Sequence, residues 1–188
     1  MRIVGGSHRG RRLAVPPGET VRPTSDRARE ALFNILSHGE LAAAGIPFAD
    51  RPVLDAFAGT GAYGLEALSR GAAEALFIEN GREALLTLRR NIAALGESAR
   101  AQVIAGDATR PPRAPVASAV AFLDPPYRSG LAVAALAALA EAGWLAPGAL
   151  AVVELGGREE FVPPAGFVLV DERVYGAARL VFLRRNGG

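Results

Sequence analysis

Cysteine and lysine are both absent from this 188-residue sequence, and histidine occurs only as His8 and His38. Without cysteine there is no disulfide, no thiolate zinc site and no cysteine nucleophile, a usage that fits a reducing compartment. Two histidines fall short of a multi-histidine centre, so no metal is expected. Long apolar runs are missing as well. The longest, residues 131–140, is about half of what a bilayer requires, and the opening MRIVGGSHRGRRL lacks the apolar core of a secretory signal. The expected location is the cytoplasm. What remains is 50% hydrophobic, with a mean hydropathy of +0.20. That excludes a disordered chain and suits one domain with a small appendage.

The formal net charge is only +2, but it is unevenly spread. Residues 1–30 hold seven arginines against three acids, whereas the rest holds 14 arginines against 16 acids. Arg2, Arg9, Arg11, Arg12, Arg22, Arg27 and Arg29 thus form an N-terminal cluster able to meet a phosphate backbone, or else a solvated basic face. Residues 2–5 and 12–15, around Gly5-Gly6-Ser7 and Gly10, predict a hairpin. After the Pro16-Pro17-Gly18 break, Thr24, Ser25 and Asp26 offer N-cap oxygens to a helix. Its apolar stripe is Ala28, Ala31, Leu32, Ile35 and Leu36, with Arg27, Arg29 and Asn34 off the stripe. The expected organisation is a basic hairpin and helix over 1–38 and a main domain over 39–188, the latter entered through a linker at 39–52.

From Pro52 strands and helices alternate. Strands are predicted over 53–58, 75–79, 102–105, 116–123 and 149–155, with an antiparallel closing pair at 167–170 and 180–183. Helices are predicted over 61–70, over the stretch bearing Leu85, Leu88, Ile92 and Leu95 up to Gly96, and over 131–142. Continuous apolar strands separated by helices imply an α/β fold, a mostly parallel sheet with helices on both faces.

The first of these strands runs into Gly59-Thr60-Gly61-Ala62-Tyr63-Gly64, a literal G-x-G-x-x-G opening a helix. Glu79 ends the next strand, where a carboxylate can accept from both hydroxyls of an adenosine ribose. This pattern serves dinucleotides and S-adenosylmethionine alike. Asp55 tilts the balance, because a carboxylate repels a pyrophosphate and attracts the ammonium of a methionine moiety. Asp107, after the third strand, is able to accept from an adenine amine. The plainer alternative is that Asp55 and Asp107 only cap neighbouring helices or turns.

The fourth strand ends in Asp124-Pro125-Pro126-Tyr127. The prolines remove two backbone donors and leave local carbonyls as acceptors. Asp124 and the Pro125 carbonyl can then hold the hydrogens of one amino group, while Tyr127 stacks on the ring that bears it. An exocyclic amine is a poor nucleophile because its lone pair is delocalised. Two acceptors favour a pyramidal nitrogen aimed at a sulfonium methyl, a task of positioning and electrostatics.

Asp124-Pro-Pro-Tyr127 together with Asp55-Ala-Phe-Ala-Gly-Thr-Gly61 resembles the S-adenosylmethionine-dependent amino-methyltransferases. The opening Arg2-Ile-Val-Gly-Gly6, the segment Arg22-Pro-Thr-Ser-Asp-Arg-Ala-Arg-Glu-Ala-Leu-Phe-Asn34 and Gly64-Leu-Glu-Ala-Leu-Ser-Arg-Gly71 are similar to the RsmD family. That resemblance spans nearly the whole chain. It implies a seven-stranded class I methyltransferase (Rossmann-like) fold and methylation of a guanine N2 in small-subunit (16S) ribosomal RNA. It implies a cofactor site of Thr24, Asp55, Ala56, Phe57, Ala58, Gly59, Thr60, Gly61, Glu79, Asn80, Asp107 and Ala108, with Asp55, Phe57, Gly59 and Gly61 at the methionine end. Asp124, Pro125, Pro126 and Tyr127 would present the guanine amine, and Arg9, Arg11, Arg12, Arg22, Arg27 and Arg29 would face RNA. The chain departs from the pattern in Asn80, in a compact proline-rich loop at 110–115 and in the absence of lysine from the arm.

The expected partner is 16S ribosomal RNA, free or within a small-subunit particle, with no membrane; the small domain permits a monomer. Three alternatives stay open. A DNA adenine-N6 or cytosine-N4 methyltransferase uses the same tetrapeptide, but 188 residues leave no room for a target-recognition domain. A nicotinamide-dependent oxidoreductase explains the glycines but neither Asp55 nor Asp-Pro-Pro-Tyr. The third is a non-catalytic RNA-binding protein with a vestigial cofactor site.

Overall fold

Period-two burial and the helical punctuation resolve into a single sheet flanked by helices. The computed structural model describes residues 1–16, 23–42, 47–127 and 129–187, without the side chains of residues 23–25. Arg22 and the Thr24 side chain therefore lie outside the described residues. The elements are α1 (Pro23–His38), β1 (Pro52–Ala56), α2 (Ala62–Ser69), β2 (Glu74–Glu79), α3 (Arg82–Leu95), β3 (Ala101–Ala105), β4 (Ser118–Leu123), α4 (Leu131–Glu141), β5 (Leu145–Gly156), β6 (Phe167–Tyr175) and β7 (Ala178–Arg185). The seven strands form one sheet in the order β3-β2-β1-β4-β5-β7-β6. Strands β1 to β5 pair in parallel, and β7 runs antiparallel to both β5 and β6. This is the doubly wound class I methyltransferase arrangement, closed by the expected antiparallel pair.

Alternating residues of each strand feed two cores. Val53, Phe77, Val120, Phe122 and Val152 pack under α1, α2 and α3, and Leu54, Ala56, Ile78, Leu123 and Val153 pack against α4 and Trp144. Helix α3 forms because Leu85, Leu88, Ile92 and Leu95 share one buried face, and it stops at Gly96, whose φ of 76° suits glycine. Among the described residues, no helix is long and apolar enough to cross a membrane.

Two expectations about the N-terminal region are corrected. Helix α1 begins at Pro23, so Thr24, Ser25 and Asp26 lie in its first turn and not before it; proline at the first helical position gives up only an N–H that has no intrahelical partner there. The buried stripe is also rotated. It runs Ala28, Arg29, Leu32, Phe33 and Leu36, while Ala31 and Ile35 are only half-buried. Phe33 sets this rotation by packing on Phe48 and Phe122 at ring-centroid distances of 5.6 and 5.4 Å.

The hairpin at the start of the chain is present in reduced form. Arg2 and Arg12 form a single antiparallel bridge around a short 3-10 turn at Gly6–His8. Ile3 and Leu13 sink into the same core as α1.

Candidate active site

Strand register brings the chemistry-bearing residues to one rim. Ala56 pairs with Ile78 on one side and Leu123 on the other, so Phe57 stands abreast of Glu79 and of Asp124. Leu123 pairs with Val153, which sets Asp124 beside Glu154. Glu79 pairs with Ala105, and the Gly106 N–H bonds its carbonyl at 2.9 Å, so Asp107 follows on the same edge. The glycine turn and the double-proline turn thus open together at the carboxyl ends of parallel strands, where α/β sheets bind ligands.

The glycine turn is shaped for close approach. Phe57 adopts φ 61°, a strained value for a residue with a side chain, and Ala58 is tied to β2 through the Ile78 carbonyl at 3.0 Å. Gly59 has φ 54° and open space around its missing Cβ, so a ligand can reach the backbone there. A Cβ on Gly64 would sit 2.4 Å from the Phe77 ring, so this glycine lets α2 press onto the sheet. The Thr60 hydroxyl turns to Met1 Sδ at 3.1 Å, and the Thr60 carbonyl accepts from Asn91 Nδ2 at 3.0 Å. Ala56, Ala58 and Ala108 are buried and shape the floor.

Asp55 lies on the helical side of β1, 1% exposed, and Oδ2 accepts the Gly64 N–H at 2.8 Å, with the Tyr63 N–H also bonded to it. The first-turn donors of α2, which in dinucleotide sites face a pyrophosphate, are therefore engaged by the chain's own Asp55 carboxyl group. Burial pushes the Asp55 carboxyl from its ordinary 3.8 up to about 8, against the Gly64 N–H bond and with help from Glu79. A carboxyl raised in the folded state keeps a proton there that the unfolded chain has lost, so stability falls as pH rises from 3.8 towards about 8. Asp55→Asn retains an oxygen for the Gly64 N–H and has no proton to lose. Its melting temperature should gain on the parent's by at least about 3 °C across that window, the shift that roughly 1 kcal/mol gives a domain of this size. Parallel pH profiles for the two proteins would show Asp55 ionised throughout.

Glu79 gathers three backbone donors: Gly59 N–H on Oε2 at 2.7 Å, and Asn80 and Gly81 N–H on Oε1 at 2.9 and 2.7 Å. A carboxylate offers about four acceptor sites, so this one is fixed in place and can still receive a hydroxyl. Asn80 is exposed beside it. Asp107 is exposed, and Oδ1 accepts both the N–H and the hydroxyl of Thr109 at 2.8 Å, bonds that hold its carboxyl below the ordinary range. Both aspartates therefore do cap local backbone, the plainer of the two sequence readings; Asp107 is exposed at the rim, whereas Asp55 is enclosed beneath α2.

On the acceptor side Asp124 is exposed, Pro125 is buried, and the Pro126 carbonyl accepts the Ser129 N–H at 3.3 Å. The Pro126 carbonyl is thus used within the turn, contrary to the expectation of outward acceptors at both prolines. The Tyr127 hydroxyl donates to Glu154 Oε1 at 2.9 Å, and the Tyr63 hydroxyl donates to Glu154 Oε2. Glu154 was not singled out from the sequence. Its signal was a lone acid inside the apolar run Val152-Val153-Glu154-Leu155.

The arginines divide. Arg9, Arg11, Arg12 and Arg27 are exposed. Arg11 donates to the Ala94 carbonyl at 2.6 Å, and the neighbouring His8 joins Ser69 and Glu97 at the carboxyl ends of α2 and α3. Since both helices run against the strands, Arg9 and Arg11 lie towards the edge opposite the rim. Arg29 corrects the expectation of an RNA contact: it is 2% exposed, bonds Asp26 at 2.8 Å and the Arg2 carbonyl at 2.5 Å, and lies 3.7 Å from Glu66. A guanidinium enclosed in that way is not available to a phosphate.

Residues 1–184 match the family model described as Conserved hypothetical protein 95. The ribosomal RNA small subunit methyltransferase D of Escherichia coli K12 is 41% identical over 179 residues, covering 94% of this chain and 85% of that protein. Its Haemophilus influenzae counterpart is 36% identical over 181 residues, covering 94% and 89%. Among solved structures, the putative methyltransferase yhhF from Escherichia coli superposes with a TM-score of 0.83 at 38% identity, covering 100% of this chain and 99% of that one. An O-methyltransferase from neocarzinostatin biosynthesis, solved with S-adenosylmethionine, has a TM-score of 0.59 at 18% identity over 86% of this chain and 57% of its own, and shares the fold alone.

Proposed function

The chain belongs to the ribosomal RNA small subunit methyltransferase D (RsmD) family, and from that premise we propose that it methylates the exocyclic N2 amine of a guanine in 16S ribosomal RNA, using S-adenosylmethionine, in the cytoplasm. The observation that carries this reading is the shared rim, with Phe57 of the glycine turn abreast of Asp124. Asp55 favours a sulfonium amino acid over a dinucleotide, because its carboxyl group already engages the α2 donors that a pyrophosphate needs. The open space at Gly59 and the fixed Glu79 carboxylate fit the methionine and ribose parts of that cofactor.

When bound, S-adenosylmethionine supplies a methyl group on a sulfonium, an electrophile with an uncharged leaving group. The chain's part is to bind, orient and hold. Glu79 would accept from a ribose hydroxyl, and Asp107 would receive the adenine amine. Asp124 and the Pro125 carbonyl each accept a hydrogen of the guanine N2, which turns its lone pair towards the methyl. Once N2 carried the methyl group it would be acidic, and Asp124 or water would take one of its protons. Arg12 and Arg27, with Arg9 and Arg11 further from the rim, bind the RNA backbone.

Purified protein incubated with S-adenosylmethionine and 16S ribosomal RNA from cells lacking the gene should leave one methyl group on a guanine N2, read by mass spectrometry. A methylated adenine or cytosine, or calorimetric preference for NAD over S-adenosylmethionine, overturns the proposal.

A further inference from the structure

We propose that Glu154 is a positioning residue that sets the Tyr127 ring for the acceptor base, an inference that rests on the function proposed above. Glu154 sits in β5 between two buried apolar residues and is itself 8% exposed. A carboxylate enclosed to this degree is costly without hydrogen-bond donors. Its donors come from the two halves of the rim: Tyr63 from the first turn of α2, just after the glycine turn, and Tyr127 from the double-proline turn.

The two tyrosines differ in freedom. Tyr63 stacks on Phe122 with centroids 5.5 Å apart and planes at 12°, so its ring does not swing without breaking core packing. Burial, reinforced by the Glu154 and Asp124 carboxylates, pushes its hydroxyl well above the ordinary phenol range and keeps it a donor. Glu154 is therefore anchored from below by a fixed partner. Its other oxygen reaches Tyr127, whose side chain is 36% exposed. At the near end, Tyr127 Cγ lies 3.9 Å from where a Gly156 Cβ would stand, so a side chain there would touch the ring and glycine leaves it room. The bond to Glu154 thus holds the ring at its hydroxyl end. An aromatic ring ordered before the base arrives loses less entropy on stacking, and it fixes the plane in which the amine meets Asp124.

Tyr127→Phe removes the hydroxyl and keeps the stacking surface, and Glu154→Gln keeps the shape without the charge. Each should lower kcat about tenfold, close to the worth of one hydrogen bond to a charged group, with the S-adenosylmethionine Kd unchanged. The double variant should be no slower than the slower single, because both changes cut one linkage. Tyr127→Phe turning over at the parent rate, or a double variant whose loss is the product of the two single losses, overturns the inference. Should Glu154→Gln fail to fold, Tyr127→Phe decides alone. An active parent with an indifferent Tyr127→Phe rejects this positioning role only; a parent that transfers no methyl group to ribosomal RNA rejects the proposed function with it.

Discussion

Asp124→Ala should slow methyl transfer by about 10²–10³-fold while S-adenosylmethionine binds with the parent's affinity. The separation of the two effects follows from the rim. Apart from Thr24 on α1, the residues assigned to the cofactor lie on β1, on β2 and on the turns after β1, β2 and β3, whereas Asp124 follows β4 one strand further along. Its assigned partner is the amine, which becomes positive only as the new bond forms. An acceptor aimed at charge that develops in the transition state contributes to kcat far more than to ground-state binding. Asp124→Asn supplies a sharper comparison, because its amide oxygen still accepts one hydrogen while the negative charge is gone. Its rate should fall between those of the parent and the alanine variant. Single-turnover transfer to ribosomal RNA, with calorimetry for the cofactor, measures both quantities. Parent-like turnover in Asp124→Ala would remove Asp124 from the chemistry.

The parts of this molecule governed by near neighbours were legible from the chain alone. Helix α3 announces itself through Leu85, Leu88, Ile92 and Leu95 and its glycine stop, and all are found as expected. The glycine turn and Asp-Pro-Pro-Tyr are contiguous motifs at strand ends, so parallel order alone was enough to bring them to one rim. What escaped was charge whose partner is far away in sequence. Arg29 looked like a surface cation because helical periodicity assigns charged side chains to solvent, yet beyond its own-helix partner Asp26 it is enclosed by the Arg2 carbonyl and by Glu66 of another helix. Glu154 escaped likewise: the tyrosines that make it tolerable in β5 lie 91 and 27 residues away. Periodicity reports which face of an element is apolar. It is silent on a buried acid whose donors arrive only when the sheet is assembled.

The N-terminal arm shows the same long-range logic and is tied to the glycine turn. Asn91 on α3 holds the arm through both backbone groups of Ala14, at 2.8 Å to the N–H and 3.0 Å to the carbonyl, and its amide also reaches the Thr60 carbonyl. Met1 touches the Thr60 hydroxyl from the other side. The arm is therefore part of the wall behind the glycine turn, and Arg9, Arg11 and Arg12 are displayed from a seated segment.

Glu66→Ala should cost about 3–5 kcal/mol of stability, the range for removing one partner of a buried ion pair. Glu66 is 0% exposed in the middle of α2. Its oxygens accept the Val4 and Gly5 N–H groups, each at 2.8 Å, and Arg70 Nε at 2.7 Å, with Arg29 Nε at 3.7 Å. Alanine would leave the enclosed Arg29 without this counter-charge and two backbone donors of the arm without their acceptor, so the cost exceeds that of an exposed salt bridge by several-fold. Arg29→Met in the same chain removes a cation left with Asp26 as its counter-charge and fills its space with an apolar chain, so the double variant should recover part of the loss. Denaturant titration of the parent, the single and the double variant measures each term. Because the lost acceptor binds Val4 and Gly5, Glu66→Ala should also release the arm to proteolysis before the sheet unfolds. A single variant within about 1 kcal/mol of the parent would mean that water replaces the carboxylate at no cost, and that the arm is seated by its apolar residues Ile3 and Leu13 alone.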